Sequence, residues 1–223
     1  MKLLAIDTAT EQCSVALRYQ GRSIERCVQT PRGHAEMILP MVQAVLTEAG
    51  LAIHQLDAIA FGRGPGAFTG VRIAIGVAQG LAYACDLPVL PISNLAAVAQ
   101  QAASTAGDIL VCMDARMSEV YWGVFRAAAD GLVAPISTER VSAPEWVELA
   151  PEQVAATGLG TGFRAYPNLR ERFVILNIDD SALPRAAEIA LLAERDFAKG
   201  LAVSPAAAAP VYLRDQVAHV KSV

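Results

Sequence analysis

The chain has 223 residues, 54% of them hydrophobic and 18% charged, enough for a sizeable core in one domain or two small ones. A formal net charge of −4 provides no global positive field to draw in nucleic acid. Cys13, Cys27, Cys85 and Cys112 form no C-x-x-C pair. His34, His54 and His219 form neither H-x-x-x-H nor H-E-x-x-H, so a zinc finger or a His-built metal centre is not expected and the thiols read as buried.

Leu3–Ile6 reads as a strand, Asp7–Gln12 as a turn and Cys13–Tyr19, with its alternation, as a second strand. Gly21 marks a turn, and Ser23–Val28 closes a three-stranded meander. Pro31-Arg32-Gly33 breaks the chain before a helix over His34–Ala49, which Gly50 stops in the usual C′ position. Pro40 lies in the first turns of that helix, and its polar Glu36, Gln43 and Thr47 form a narrow stripe, leaving most of the surface apolar. His34 reads as a capping or interface residue rather than a base.

The central segment runs from a strand at Asp57–Phe61 through the turn Gly62–Gly70 into a helix over Val71–Cys85. Thr69 is placed to cap the helix. The glycines suit either a phosphate cradle or a tight β–α turn. No Lys-Ser/Thr pair follows them and Pro65 removes an amide donor, so the tight turn is favoured. On the helix only Arg72, Gln79 and Tyr83 are polar, while Gly76 and Gly80 stand four apart. Glycine inside a helix costs about 1 kcal/mol relative to alanine, so two of them imply close approach of another backbone, from the core or from a second protein. Gln79, Asp86, Pro88 and Pro91 interrupt this apolar stretch too often for a membrane span. Asp7 comes too early for a secretory apolar region, which makes the cytoplasm the expected compartment.

Val89–Ile92 reads as a strand, Asn94–Ala103 as a helix and Ser104–Gly107 as a linker. Ile109–Asp114 then mirrors Leu3–Asp7: each apolar run ends in an acid and a polar turn and continues into an alternating strand, Val120–Phe125 in the second case. This predicts an internal duplication and a two-lobed α/β fold, with lobes at 1–105 and 106–223 and equivalent turns facing one cleft. Further elements are a short helix at Pro144–Trp146, strands at Val154–Thr157 and Phe173–Leu176, and an amphipathic helix over Pro184–Lys199. Gly158–Gly162 reads as a loop rather than a nucleotide site, since no strong helix or lysine follows. Ala206–Ala209 reads as a linker, and the tail after Arg214 as loose.

In order along the chain stand Leu4-Ala5-Ile6-Asp7-Thr8, His34-Ala35-Glu36 with Leu39-Pro40, Gly64-Pro65-Gly66-Ala67-Phe68-Thr69-Gly70-Val71-Arg72-Ile73, Asp114-Ala115-Arg116 with Glu119-Val120-Tyr121, and Pro210-Val211-Tyr212-Leu213-Arg214. With these the chain resembles the bacterial TsaB (YeaZ) family throughout its length; Ala67 stands where the family often has serine. The resemblance implies the actin/Hsp70/sugar-kinase (ASKHA) architecture. It also implies a part in placing threonylcarbamoyl on adenosine 37 of tRNAs reading ANN codons, beside a catalytic paralogue, TsaD, and an ATPase, TsaE.

The metal-binding H-x-E-G-H of TsaD-like proteins is replaced here by Asn94-Leu95-Ala96-Ala97-Val98, so no metal is expected. Asp7, Thr8 and Asp114 remain as weak nucleotide-binding candidates. The actin-like phosphate turn usually has glycine two residues after its acid, where this chain has Ala9 and Arg116, so both acids are expected to serve the turns themselves. The expectation is a non-catalytic subunit without a cofactor of its own, ATP and metal being handled by its partners. Leu39, Gln43, Leu46, Arg72, Ile75, Gly76, Gln79 and Tyr83 are expected to form the face that pairs with TsaD, or with a second copy when the chain is alone. The alternative is a stand-alone peptidase or weak ATPase, although no G-x-S-x-G is present. Arg63, Arg72, Arg164, Arg170 and Arg172 are dispersed, and the tryptophans and tyrosines form no stacking stripe, so tRNA contact is expected only through the complex.

Overall fold

The protein, described here by a computed structural model over residues 1–105 and 107–214, is built on two mixed sheets. The first contains β1 (Lys2–Asp7), β2 (Gln12–Tyr19), β3 (Arg22–Gln29), β4 (Ala58–Gly62) and β5 (Val89–Ile92), in the order β3-β2-β1-β4-β5. β1 to β3 form the antiparallel meander, and β4 and β5 add parallel strands beyond β1. The second sheet contains β6 (Asp108–Arg116), β7 (Glu119–Ala127), β8 (Val133–Pro135), β9 (Arg140–Ser142), β10 (Ala155–Leu159) and β11 (Asn177–Asp179). Its order β11-β10-β6-β7-β8 repeats the first plan, with β6 and β7 antiparallel and β10 and β11 parallel to β6, while β9 also pairs with β7. The expected duplication and two-lobed α/β architecture are thus present over five strands of each sheet, with β9 additional in the second.

The helices explain why β1 and β6 are apolar without interruption: each strand is covered on both faces. Leu4 and Ile6 point to the side where α1 (His34–Ala49) and α2 (Phe68–Cys85) pack, with Ile38, Val42, Val45, Ala74 and Ala78. Leu3 and Ala5 point to the other side, toward α3 (Asn94–Gln100) and α6 (Ala186–Ala198). Ile109, Val111 and Met113 of β6 join that same core, so α3 and α6 lie between the two sheets. Leu110 and Cys112 face outward onto Trp122, Phe163 and Leu169, the last two carried by α4 (Gly162–Ala165) and α5 (Asn168–Arg172). The expected boundary after residue 105 falls between α3 and β6. Nevertheless α6 packs on β1, β2, β4 and β5. Gln12 donates to the Pro184 carbonyl at 2.9 Å, and the Ala186 amide donates to the Ser14 hydroxyl at 2.9 Å.

Several local expectations are corrected. α2 begins at Phe68 with Ala67 as N-cap and no side-chain cap, so Thr69 lies inside the helix. The helix from Asn94 ends at Gln100, where turns bonded from 101 to 98 and 102 to 99 take over. Phe173–Leu176 is no strand: Val174 and Leu176 are 90% and 79% exposed, and pairing starts at Asn177. Cys27 is exposed rather than buried. By length and composition alone α2 is apolar enough to cross a membrane, although its core face packs on the first sheet.

Because α6 belongs to both lobes, Ile189→Ala is expected to lower stability by about 3 kcal/mol. In urea, tryptophan fluorescence, which reports Trp122 and Trp146 of the second lobe, and far-UV dichroism should shift together in one transition. Separate transitions would show that the lobes do not share this core.

Candidate functional site: the cleft between the sheets

The glycine turn between β4 and α2 is shaped by what lies against it. A Cβ on Gly66 would stand 2.6 Å from the Ala9 carbonyl oxygen, and one on Gly70 would stand 2.0 Å from the Thr8 carbonyl oxygen. The Ala67 amide donates to Ala9 at 2.7 Å, and the Thr8 hydroxyl donates to the Gly70 carbonyl at 2.7 Å. The concavity therefore holds the chain's own β1–β2 turn, as the tight-turn reading expects. In the second lobe the glycines lie against the strand itself, ahead of its acid: Cβ atoms on Gly160 and Gly162 would meet the Cys112 carbonyl oxygen at 2.4 and 2.8 Å.

Asp7 is fully buried at the end of β1. It accepts from the Asn94 side-chain amide at 2.5 Å and from the Ala9 amide at 3.2 Å, and Gly62 leaves room for it, since a Cβ there would lie 1.9 Å from Asp7 Oδ2. Burial pushes its carboxyl up to about 7, against the pull of these two donors. Asn94 Oδ1 in turn accepts from the Gly64 amide at 2.7 Å, so one side chain joins β1, α3 and the glycine turn. These residues do not fit a metal: Asn94 is committed on both sides, and Val98 is buried in the core. No group of three His, Cys, Asp or Glu suited to a metal occurs among the described residues.

A cleft of about 1070 Å³ opens between the lobes. It is walled by the Thr8–Glu11 turn, the start of α1, residues 65–71 and Ile73, Met113–Arg116, Arg164 and Val211–Arg214. Thr8 and Asp114 line it, and Asp7 lies beneath it. Asp114 accepts from the Arg116 amide at 2.8 Å and from the Tyr166 hydroxyl at 3.3 Å, and it pairs with the Arg116 guanidinium at 3.0 Å, so this acid also serves its turn. His34 bonds the Thr10 carbonyl oxygen at 2.9 Å instead of a nucleophile. Burial pushes the Cys13 thiol up to about 11 and the Cys112 thiol further, away from thiolate chemistry.

Of the expected partner face, α1 and α2 lie side by side, with Leu39 and Tyr83 51% and 61% exposed and Gln43, Arg72 and Gly76 also at the surface. Leu46 and Ile75 are corrected: they turn inward, 5% exposed each, because they sit on the core stripes of their helices. Gln79 is also corrected. Its amide donates to the Pro205 and Ala208 carbonyls at 2.9 and 3.2 Å, tying down the C-terminal segment. Sequence reasoning missed Phe68 and Tyr212, whose exposed rings lie 6.2 Å apart with the Arg72 guanidinium 3.3 Å from the Phe68 centroid. Residues 144 apart give no periodic signal. Arg170 pairs with Asp180 and Arg172 donates to the Pro144 carbonyl at 2.7 Å, whereas Arg164 lines the cleft, so these arginines make no common basic edge.

The raised carboxyl of Asp7 has a signed consequence. The folded chain keeps that proton up to about pH 7, whereas the unfolded chain releases it near 3.8. This group's contribution to stability therefore falls as pH rises between those values, by on the order of 4 kcal/mol, and is level above. Asp7→Asn loses a hydrogen bond at every pH and, having no carboxyl to titrate, loses this slope as well. Urea midpoints from pH 4 to 8 should fall more steeply for the parent than for the variant; parallel curves would show that Asp7 is charged in the fold.

A family model described as TsaD, tRNA N6-adenosine threonylcarbamoyltransferase, matches residues 28–222. The tRNA threonylcarbamoyladenosine biosynthesis protein TsaB of Escherichia coli K12 is 43% identical over 226 residues, covering 99% of this chain and 98% of the relative. Its namesake from Haemophilus influenzae is 41% identical, covering 99% and 97%. Among solved structures, YeaZ from Pseudomonas aeruginosa superposes with a TM-score of 0.87 at 46% identity, over 95% of this chain and 99% of that one. A second Pseudomonas aeruginosa structure, of a protein with similarity to peptidase YEAZ, gives 0.88 at 47% identity, over 96% and 99%. Identity of this order over nearly the full length, with both glycine turns and both acids in register with the fold, places the chain in the TsaB (YeaZ) family of tRNA threonylcarbamoyladenosine biosynthesis proteins.

Proposed function

We propose that the chain is a non-catalytic subunit for threonylcarbamoylation of adenosine 37 in tRNAs reading ANN codons, and that it acts by pairing the outer face of α1 and α2 with the catalytic paralogue TsaD. The observation that carries this reading is the contrast among the glycines. Gly62, Gly66 and Gly70 are required by the fold, since Cβ atoms there would collide with Asp7, Ala9 and Thr8. Gly76 and Gly80, in the same helix as Gly70, face open space, and a Cβ on either would meet nothing within 4 Å. Each weakens the helix by about 1 kcal/mol relative to alanine with no internal return. The use of a bare backbone at that surface is close approach by another chain. Leu39 of the adjacent α1 and Phe68 and Tyr83 of α2 add exposed apolar area of the kind that marks an interface.

In this reading ATP and metal belong to the partner subunits. Asp7 is sealed under the turn, Asn94 is committed to Asp7 and Gly64 while Val98 offers no donor atom, and burial holds the Cys13 and Cys112 thiols in their protonated form. TsaE joins the pair, a second copy of the chain occupies the same face when TsaD is absent, and tRNA is met through the assembly, in the cytoplasm. The net charge of −4 and the engaged arginines support weak RNA binding by the chain alone.

Gly76→Leu tests this directly. The side chain enters open space, so circular dichroism and the melting temperature should stay close to the parent, while co-purification with TsaD and self-pairing on gel filtration should be lost. Full-yield co-purification of the folded variant would place the interface elsewhere. The purified chain should also show no turnover of Mg·ATP or casein beside a TsaD control, and turnover would sink the subunit reading.

A further inference from the structure

The segment after α6 is fastened at successive points along the first lobe. Val203 exchanges two 2.9 Å hydrogen bonds with Val89, Gln79 holds the Pro205 and Ala208 carbonyls, and the Val211 amide donates to the Arg63 carbonyl at 2.8 Å. Gly64, at φ 100°, accommodates the Val211 carbonyl oxygen, which would lie 2.9 Å from a Cβ there. Tyr212 then joins the stack with Arg72 and Phe68 at the start of α2. Two residues later the segment grips the other lobe. Arg214 forms an ion pair with Glu119, its Nε lying 2.9 Å from the carboxylate, and donates to the Ala115 and Arg116 carbonyls at 3.2 and 3.4 Å.

The grip falls on a strained turn. Arg116, Met117 and Ser118, between β6 and β7, all have positive φ, at 61°, 55° and 60°. A left-handed conformation costs a non-glycine residue roughly 1–2 kcal/mol, and three in succession persist only where neighbours impose them. Arg214 binds the Ala115 and Arg116 carbonyls at the head of this turn, and the same segment lines the cleft.

We propose that Val211–Arg214 is a latch across the cleft mouth: anchored on α2 and the glycine turn, it holds the 116–118 turn of the second lobe in its left-handed form and so fixes the opening between the lobes. The latch makes α2 and the β6–β7 turn one mechanical unit, although they belong to different sheets.

Hydrogen exchange by mass spectrometry on the isolated chain tests the latch without reference to any partner. Arg214→Ala should speed exchange about tenfold, the effect of losing charge-assisted hydrogen bonds. The change should appear both in 113–121 and in 63–72, while β1 and the buried part of β6 keep the parent rate. Glu119→Gln, which keeps the shape and removes the charge, should show the same pattern more weakly. Tyr212→Ala, altered at the first-lobe end, should speed exchange at 115–119. A change confined to 115–119 in Arg214→Ala, no change at all, or a uniform rise that includes Leu3–Ile6 would each overturn the latch.

Discussion

The backbone of Thr8 and Ala9 lies where the side chains of residues 66 and 70 would otherwise be, and much of the first lobe depends on that exclusion. It aligns the end of β1 with the start of α2. It makes room beneath for Asp7, whose carboxyl meets Asn94 at the first residue of α3. Three elements distant in sequence are thereby fixed by contacts a methyl group would break. In the second lobe Gly160 and Gly162 also lie against backbone, but at Cys112, inside β6 and before Asp114, so the duplicated strand order is packed differently in the two halves.

Much of this was legible in the sequence. The paired strand–acid–hairpin units pointed to both sheets, because a strand covered on two faces must be apolar along its covered length; the acid ends β1, whereas β6 runs two residues past Asp114. Gly50 and the alternation of Cys13–Tyr19 worked for similarly local reasons. What the sequence left hidden was long-range. Val174 and Leu176 have strand-like side chains but no partner strand. Leu46 and Ile75 share helices with exposed residues, and only the sheet beneath decides which stripe turns inward. The glycines of α2 are alike on paper, yet Gly70 is demanded by Thr8 while Gly76 faces open space. Phe68 and Tyr212 could be joined only by the path of the C-terminal segment.

α2 thus has three commitments around its circumference. One stripe faces the first sheet, Gln79 and Arg72 hold the returning C-terminal segment, and the stripe of Gly76, Gly80 and Tyr83 is open. A helix so used has little freedom to vary, in keeping with its scarcity of charged side chains. In the cleft Asp114 pairs with Arg116 and His34 bonds the Thr10 carbonyl, while Asp7 is sealed below.

The position of α6 has a consequence for the independence of the two halves. Each half has the strands of a complete lobe, but the helix that covers Leu3 and Ala5 is encoded near the far end of the chain. A gene divided after residue 105 would give a first half with one face of its sheet bare and a second half carrying an apolar helix with no sheet to cover. Each half thus supplies a helix that the other half's sheet needs, α3 for the second and α6 for the first.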